Sequence, residues 1–356
     1  MSAVDEKTKA PPDTRPILSL VRSQDTAVQV LRRAIAAGSV HHAYLFEGPG
    51  GVGKELAALG LAQALICERR APGAADACGA CSACLRAHVT EDRVTRHPDI
   101  TFIERALYEP QRIGRRTPES QDISIDQVRT LVLARAAFGP HEGRAKVFIV
   151  RRAEELGTSA ANALLKTLEE PGDRTHFILL SAQPADLLAT VRSRTMRLRF
   201  GSLPEATVKA LLLEGGKDED VATRAAALSG GTMEEALLSA DPELVAVRDA
   251  FVSQLLGAIT RGDRAKGYEL AEAGKKDKNK LDADLVALAR ALHLRLRAEA
   301  KAADRPAAST HRLAEAFAMV MEAKDDLGRN NSPQLVVETL YFKLRDVLRP
   351  VLSPGA

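Results

Sequence analysis

Residues 43–54 read AYLFEGPGGVGK, and the fold is organised around them. Ala43-Tyr44-Leu45-Phe46 is a short apolar run that ends in a glycine-rich turn. The following segment, Glu55 to Ile66 (ELAALGLAQALI), has strong helix formers at most positions. A buried strand, a glycine turn and a helix in that order are the setting of a phosphate-binding loop. Gly48, Gly50, Gly51 and Gly53 would let backbone N–H groups converge on an anion, and the helix N-terminus adds a partial positive charge. Lys54 would reach the terminal phosphates. The plain alternative is an ordinary glycine-rich turn.

Working outward, short apolar strands alternate with helices. Strand candidates are Ile100–Ile103, Val147–Val150, Phe177–Leu180 and Met196–Phe200. Asp126–Ala137 predicts a helix with Val128, Leu131, Val132 and Ala136 on one face. Thr158 or Ser159 would cap another, running to Glu170 and stopped by Pro171. The pattern implies an α/β domain: a mostly parallel sheet with helices on both faces. After Leu203-Pro204 the strand signals vanish. Leu281, Leu285, Leu288, Leu292 and Leu296 recur at helical spacing, as do Leu313, Phe317 and Val320, then Val337, Leu340, Leu344 and Val347. The turn Ser229-Gly230-Gly231 and the polar stretch Gly274–Asp282 should break this half into smaller units. The expected division is a flexible tail at 1–16, an α/β domain at 17–203, a small helical domain at 204–240 and a helical bundle at 241–356. Residues 108–122 read as an exposed polar loop.

Composition narrows the function. The chain has 356 residues, 50 basic and 47 acidic side chains and a net charge of +3, too little to argue by itself for nucleic acid or a membrane. Aromatic residues are 4% and Trp is absent, so stacking on bases has little material. No apolar run is long enough to span a bilayer and the first sixteen residues carry no signal-peptide core, so a cytoplasmic protein is expected.

The loop lacks its metal partners. The position after Lys54 should be Ser or Thr, whose hydroxyl binds Mg²⁺, but it is Glu55, which would repel the phosphates. The strand that should end in an acid, Val147–Val150, ends in Arg151-Arg152. An arginine ~5 Å from Mg²⁺ adds several kcal/mol of repulsion at an effective dielectric of ~20. Metal-assisted hydrolysis is therefore not expected. If another strand supplies the acid, Asp99 or Glu104 would be that group.

All four cysteines lie close in sequence: Cys67, Cys78, Cys81 and Cys84. Two-residue spacings suit four thiolates closing a tetrahedral structural Zn²⁺ site, with His88 in reserve; an iron–sulfur cluster and free thiols are the alternatives. A closed site of this kind argues against a zinc-dependent enzyme. Arg194, in Ser193-Arg194, reads either as a solvated charge or as an arginine finger offered to a neighbouring subunit. Arg192, Arg194, Arg197 and Arg199 together could touch DNA, or be ordinary charge on an edge strand.

These residues carry a resemblance. From about Leu18 to Phe200 the chain resembles the delta-prime branch of the bacterial DNA polymerase III clamp-loader family, within the AAA+ proteins. The matching segments are His42–Phe46, the four cysteines, His97-Pro98-Asp99, Ile125–Arg129, Ala161–Pro171 (ANALLKTLEEP) and Thr190–Arg194. The resemblance implies an AAA+ module at 17–203 with a zinc module at 67–84, a lid at 204–240 and a collar at 241–356 that holds a five-subunit ring. Gamma/tau and delta subunits would be the partners, and the ring would open a sliding clamp and close it on primer-template DNA. Glu55, Arg151 and Arg152 replace the catalytic relative's metal-binding and water-orienting groups, and Glu234 stands where that relative carries a phosphate-sensing Arg. The family's Ser-Arg-Cys motif is Ser193-Arg194-Thr195 here, which keeps the charge. The expectation is a non-catalytic subunit of the polymerase holoenzyme that offers Arg194 in trans and binds ATP or ADP weakly or not at all. The alternative is an ATP-hydrolysing gamma/tau-type motor.

Overall fold

The computed structural model describes residues 14–105, 107, 122–302, 308–328 and 331–352. The polar loop expected over 108–122 lies outside these residues except for Asp122, as does the tail expected over 1–16 except for its last three positions. The chain divides into two compact units, Met1–Ala236 and Leu237–Ala356.

The first unit is built on a five-stranded parallel sheet: β1 (Ala43–Glu47), β2 (Ile100–Ile103), β3 (Lys146–Val150), β4 (Thr175–Ser181) and β5 (Met196–Arg199), in the order β2-β3-β4-β1-β5. The three central strands and β2 are apolar because both faces are covered. Ala43, Leu45, Phe148, Val150, Phe177 and Leu179 pack on one face. Tyr44, Phe46, Val147, Ile149, Ile178 and Leu180 are buried on the other. Helix α1 (Asp25–Ala36) and α2 (Lys54–Ile66) follow the N-terminal turn and β1, and α3 (Ser82–Arg86) belongs to the cysteine segment.

The helix expected at 126–137 runs as α4 (Ile125–Gln127), a π-helical stretch (Val128–Leu133) and α5 (Ala134–Ala136). Val128, Leu131, Val132 and Ala136 all enter the core, as the spacing predicted. Ser124 and Gln127 form a reciprocal cap at its start. At its end the buried Lys146 ammonium donates to the carbonyls of Arg135, Phe138 and Gly139 at 2.8, 3.0 and 2.9 Å. Next come α6 (Thr158–Glu169) and α7 (Ala189–Arg192). Neither Thr158 nor Ser159 caps α6. Its N-cap is Gly157, which has no side chain to accept the first helical N–H groups and whose own N–H donates to the Ile123 carbonyl at 3.2 Å. The unit closes with α8 (Glu205–Glu214), α9 (Glu219–Leu228) and the start of α10 (Met233–Ser239).

The second unit contains α11 (Pro242–Arg261), α12 (Arg264–Lys276), α13 (Lys278–Ala302), α14 (Ala308–Gly328) and α15 (Pro333–Leu352). Its core holds Leu281, Leu285, Leu288, Leu292, Leu313, Val320, Val337, Leu340 and Leu344, the residues whose period announced these helices. The polar stretch 274–282 breaks the chain at one residue only. Asp277 leaves the helical conformation and its carboxylate accepts the Lys280 N–H at 2.9 Å, so the residue that ends α12 also caps α13.

Candidate functional site

Parallel strands place all their carboxyl ends on one edge of the sheet, and the glycine loop leaves β1 at that edge. Gly48, Gly51 and Gly53 have φ of 144°, 64° and 100°, so only glycine fits this path without strain. The glycine turn thus joins a buried strand to a helix, the setting that the sequence predicted. Lys54, however, does not point outward. It is buried, and its ammonium donates to the carbonyl of Gly48 at 2.5 Å and to that of Pro49. Burial holds it below the usual lysine range, against the pull of Glu154 and Glu234.

Beside the loop lies a closed ion-pair network. Arg151 follows β3 and is only 5% exposed at its side chain. Its Nε donates to Glu55 Oε2 at 3.0 Å and its Nη2 donates to Glu55 Oε1. Nη1 donates to Glu104 Oε2 at 3.1 Å and to the Arg93 carbonyl at 2.8 Å. The guanidinium lies over the Phe102 ring, 3.9 Å from its centroid, and Arg93 adds a second cation on Glu104 at 3.0 Å. Glu55 is thus turned from the phosphate position to Arg151. Arg152 does not join the network. It has φ of 46°, is exposed and pairs with Glu155 at 3.4 Å. Of the two alternative acids, Asp99 precedes β2 and so lies at the opposite edge, where it accepts the N–H groups of His141, Glu142 and Gly143. Glu104 follows β2 and is at the right edge, but Arg151 and Arg93 neutralise it.

The start of α10 crosses the loop. The Met233 N–H donates to the Gly51 carbonyl at 3.0 Å. A Cβ added to Gly50 would overlap the Glu234 carboxylate, and one on Gly51 would overlap the Glu234 backbone. An acid therefore stands against the two glycines that would face a phosphate.

The cysteine segment is different. Cys67 ends α2, and Cys78, Cys81 and Cys84 return to it, with all four sulfurs within 4.8 Å of one another. Cys67 and Cys81 are 4.0 Å apart and Cys78 and Cys84 are 3.9 Å apart. A tetrahedron with bonds of about 2.3 Å has edges of about 3.8 Å, so the four thiols fit a single metal ion. Several irons would spread the sulfurs further than this. The N–H groups of Cys78 and Cys81 donate to the sulfurs of Cys67 and Cys78, each at 3.3 Å. Burial pushes the Cys67 and Cys84 thiols up; Cys81, also raised by burial, is held at about 7 by the combined hydrogen bonds of Cys84, Glu68 and Cys78. His88 is not part of the four-sulfur group.

Arg194 lies beyond α7, half-buried, and is paired with Glu169 at the end of α6. Two other arginines of the 192–199 cluster are also committed. Arg197 donates to Glu47 at 2.7 and 2.9 Å and Arg199 at 2.9 Å. Burial would raise Glu47, but the two guanidiniums outweigh it and hold the carboxyl below its usual range. Sequence reasoning did not find Arg93, Glu47 or Glu169 in these roles, since each partner is more than ten residues away and no local spacing marks it.

The chain matches the family model described as DNA polymerase III, delta subunit, over residues 23–204. It is 42% identical over 159 residues to the DNA polymerase III subunit delta′ of Pseudomonas aeruginosa, covering 44% of this chain and 42% of that one. It is 30% identical over 225 residues to the delta′ subunit of Bacillus subtilis, covering 63% and 62%. To the gamma/tau subunit of Mycobacterium tuberculosis it is 31% identical over 239 residues, covering 65% of this chain and 38% of that one. The matches thus span less than two thirds of the length of these relatives. The family match takes in β1 to β5, the glycine loop, the cysteines and Arg194, half of the chain, and on that ground the chain belongs to the DNA polymerase III delta-subunit family.

Proposed function

We propose that this chain is a delta-prime-type subunit of a bacterial clamp loader that does not hydrolyse ATP itself. It would act in a ring with gamma/tau and delta subunits, help open a sliding clamp and load it on primer-template DNA, and offer Arg194 to ATP on a neighbour. The observation that carries this reading is Arg151, held between Glu55 and Glu104 where the loop would need a divalent ion. Arg151 takes up both carboxylates that could otherwise bind Mg²⁺, and without the metal the γ-phosphate loses its main charge stabilisation. Lys54 folded onto its own loop and Glu234 against Gly50 oppose phosphate binding as well. The units 17–203, 204–240 and 241–356 would serve as AAA+ module, lid and collar, and Cys67, Cys78, Cys81 and Cys84 would hold a structural Zn²⁺.

The test is phosphate release from the isolated chain with ATP and Mg²⁺. We expect no turnover above background and no change on Lys54→Ala. Brisk turnover that Lys54→Ala abolishes would instead make the chain a gamma/tau-type motor. The role in an assembly is tested by co-purification with gamma/tau and delta subunits, and by ATP turnover of the ring with and without this chain.

A further inference from the structure

Arg194 is held in a particular way. Its Nε donates to Glu169 Oε1 at 2.5 Å, and its Nη2 pairs with the same oxygen. Its Nη1 donates to the Thr190 carbonyl at 2.9 Å, with Ser193 Oγ at a long 3.4 Å. A guanidinium has five N–H donors in a rigid planar fork. Nε and Nη2 each give one to Glu169, and Nη1 gives to Thr190 and, over a long distance, to Ser193. Nη2 keeps a second N–H, and the 3.4 Å contact to Ser193 holds the second N–H of Nη1 only weakly, so the end edge can still turn to a phosphate oxygen. The side chain is 34% exposed, so an anion from outside can reach part of it.

Glu169 is costly where it stands. It is the last residue of α6, and a carboxylate at a helix C-terminus opposes the helix dipole. Glu170 follows it and adds a second negative charge at the same end. Arg194 offsets that repulsion, and in return the carboxylate fixes the long arginine side chain, which would otherwise sample many rotamers.

We propose that Glu169 is the positioning residue for Arg194: it grips the side edge of the guanidinium and aims the end edge at a phosphate held by a neighbouring subunit. This rests on the in-trans role given above. The pre-set geometry lowers the ordering needed when charge develops on the transferring phosphoryl group, so the effect belongs to turnover and not to ATP affinity.

The test uses the reconstituted ring of gamma/tau, delta and this chain, with clamp, primed DNA, ATP and Mg²⁺. Arg194→Ala sets the full loss of ATP turnover. Glu169→Ala should reproduce most of that loss in kcat, with KM for ATP unchanged within about twofold. Glu169→Gln, which keeps one acceptor oxygen, should fall between Glu169→Ala and the parent. The double variant should be no slower than Arg194→Ala alone, as expected for two residues acting through one group. If Arg194→Ala lowers turnover and Glu169→Ala does not, the positioning role is wrong and the proposed function stands. If Arg194→Ala itself changes nothing, the in-trans role is wrong and the positioning role falls with it. Failure of both Glu169 variants to join the ring on gel filtration would also overturn the proposal, because it would assign the pair to assembly.

Discussion

The two ends of α2 make opposite use of charge. At its N-terminus the glycine loop has the backbone of an anion site, yet its charged side chains are already satisfied: Lys54 by loop carbonyls, and Glu55 and Glu104 by Arg151. At its C-terminus Cys67 joins three other thiols whose sulfurs lie within 4.8 Å of one another. The same helix links both ends to the core, since Gln63 accepts the Ile17 N–H at 2.9 Å and donates to the Cys84 carbonyl at 3.2 Å. The contrast teaches that a site is judged by whether its charges are balanced from within. The loop's charged side chains are paired within the chain, whereas the four thiols have the geometry to share an ion.

The largest expected effect tests the cysteine end. If the four thiolates hold structural zinc, the purified chain contains one zinc per molecule, and chelation or Cys84→Ser lowers the melting temperature of the first unit by on the order of 10 °C or more. Metal analysis and a thermal melt with and without chelator check this. An unchanged melt after complete zinc removal would erase the contrast between the two ends.

A smaller effect is expected at the loop end. Arg151→Met leaves the half-buried Glu55 without this partner and the buried Glu104 with Arg93 alone, at a cost of about 3 kcal/mol, the lower part of the range for a broken buried pair because Glu55 is 40% exposed and Glu104 keeps one cation. Adding Glu55→Gln and Glu104→Gln should recover most of the loss, since the unpaired charges are then gone. Urea denaturation of the single and triple variants reads both numbers. Equal stability of Arg151→Met and the parent would show that the network is not what balances the loop.

The smallest effect comes from a region that shares neither end. His41, His42 and His176 cluster at the amino edge of the sheet, with the first two rings stacked at 4.3 Å. His42 Nε2 lies 3.0 Å from the Leu168 carbonyl and His176 Nδ1 lies 3.1 Å from that of His41. Burial, with repulsion from His41, lowers His42; burial, with repulsion from His42 and His41, lowers His176 despite its backbone bond. Their folded pKa values lie below about 6.5, so the unfolded chain takes up protons first as pH falls. Their stabilisation is therefore full above about 6.5 and is lost as pH drops through the folded values. Urea midpoints across that window should fall on the acid side, and less steeply in a His42→Gln/His176→Gln variant. An equal slope in both would move the acid sensitivity elsewhere, with the cysteine end the next region to examine.

Much of this was legible in the residues. The apolar runs at 43–46, 147–150 and 177–180 marked the central strands, because strands covered on both faces cannot alternate. The leucine period after 280 marked the second unit for the complementary reason, that one helical stripe is buried. The cysteine spacing marked a metal-type group. What sequence pattern missed was short or cross-chain. The N-cap of α6 is Gly157, one residue before Thr158, and its N–H is bound to Ile123 from another segment. Arg151 was expected to repel a metal, and Glu55 to repel phosphate, but nothing local showed that each would find the other across 96 positions.

Residue types and spacing alone determined that the chain has a parallel α/β unit followed by helices, a glycine loop deprived of its metal ligands, and four thiols close enough to share an ion. Those features follow from periodicity and chemistry within a few turns of chain. Only the tertiary structure decided which charges meet: Arg151 with Glu55 and Glu104, Glu234 with the loop glycines, Glu47 with Arg197 and Arg199, and Arg194 with Glu169. Such pairs form between distant segments because burial brings them together and then penalises any charge left unpaired, a condition that no short stretch of sequence contains.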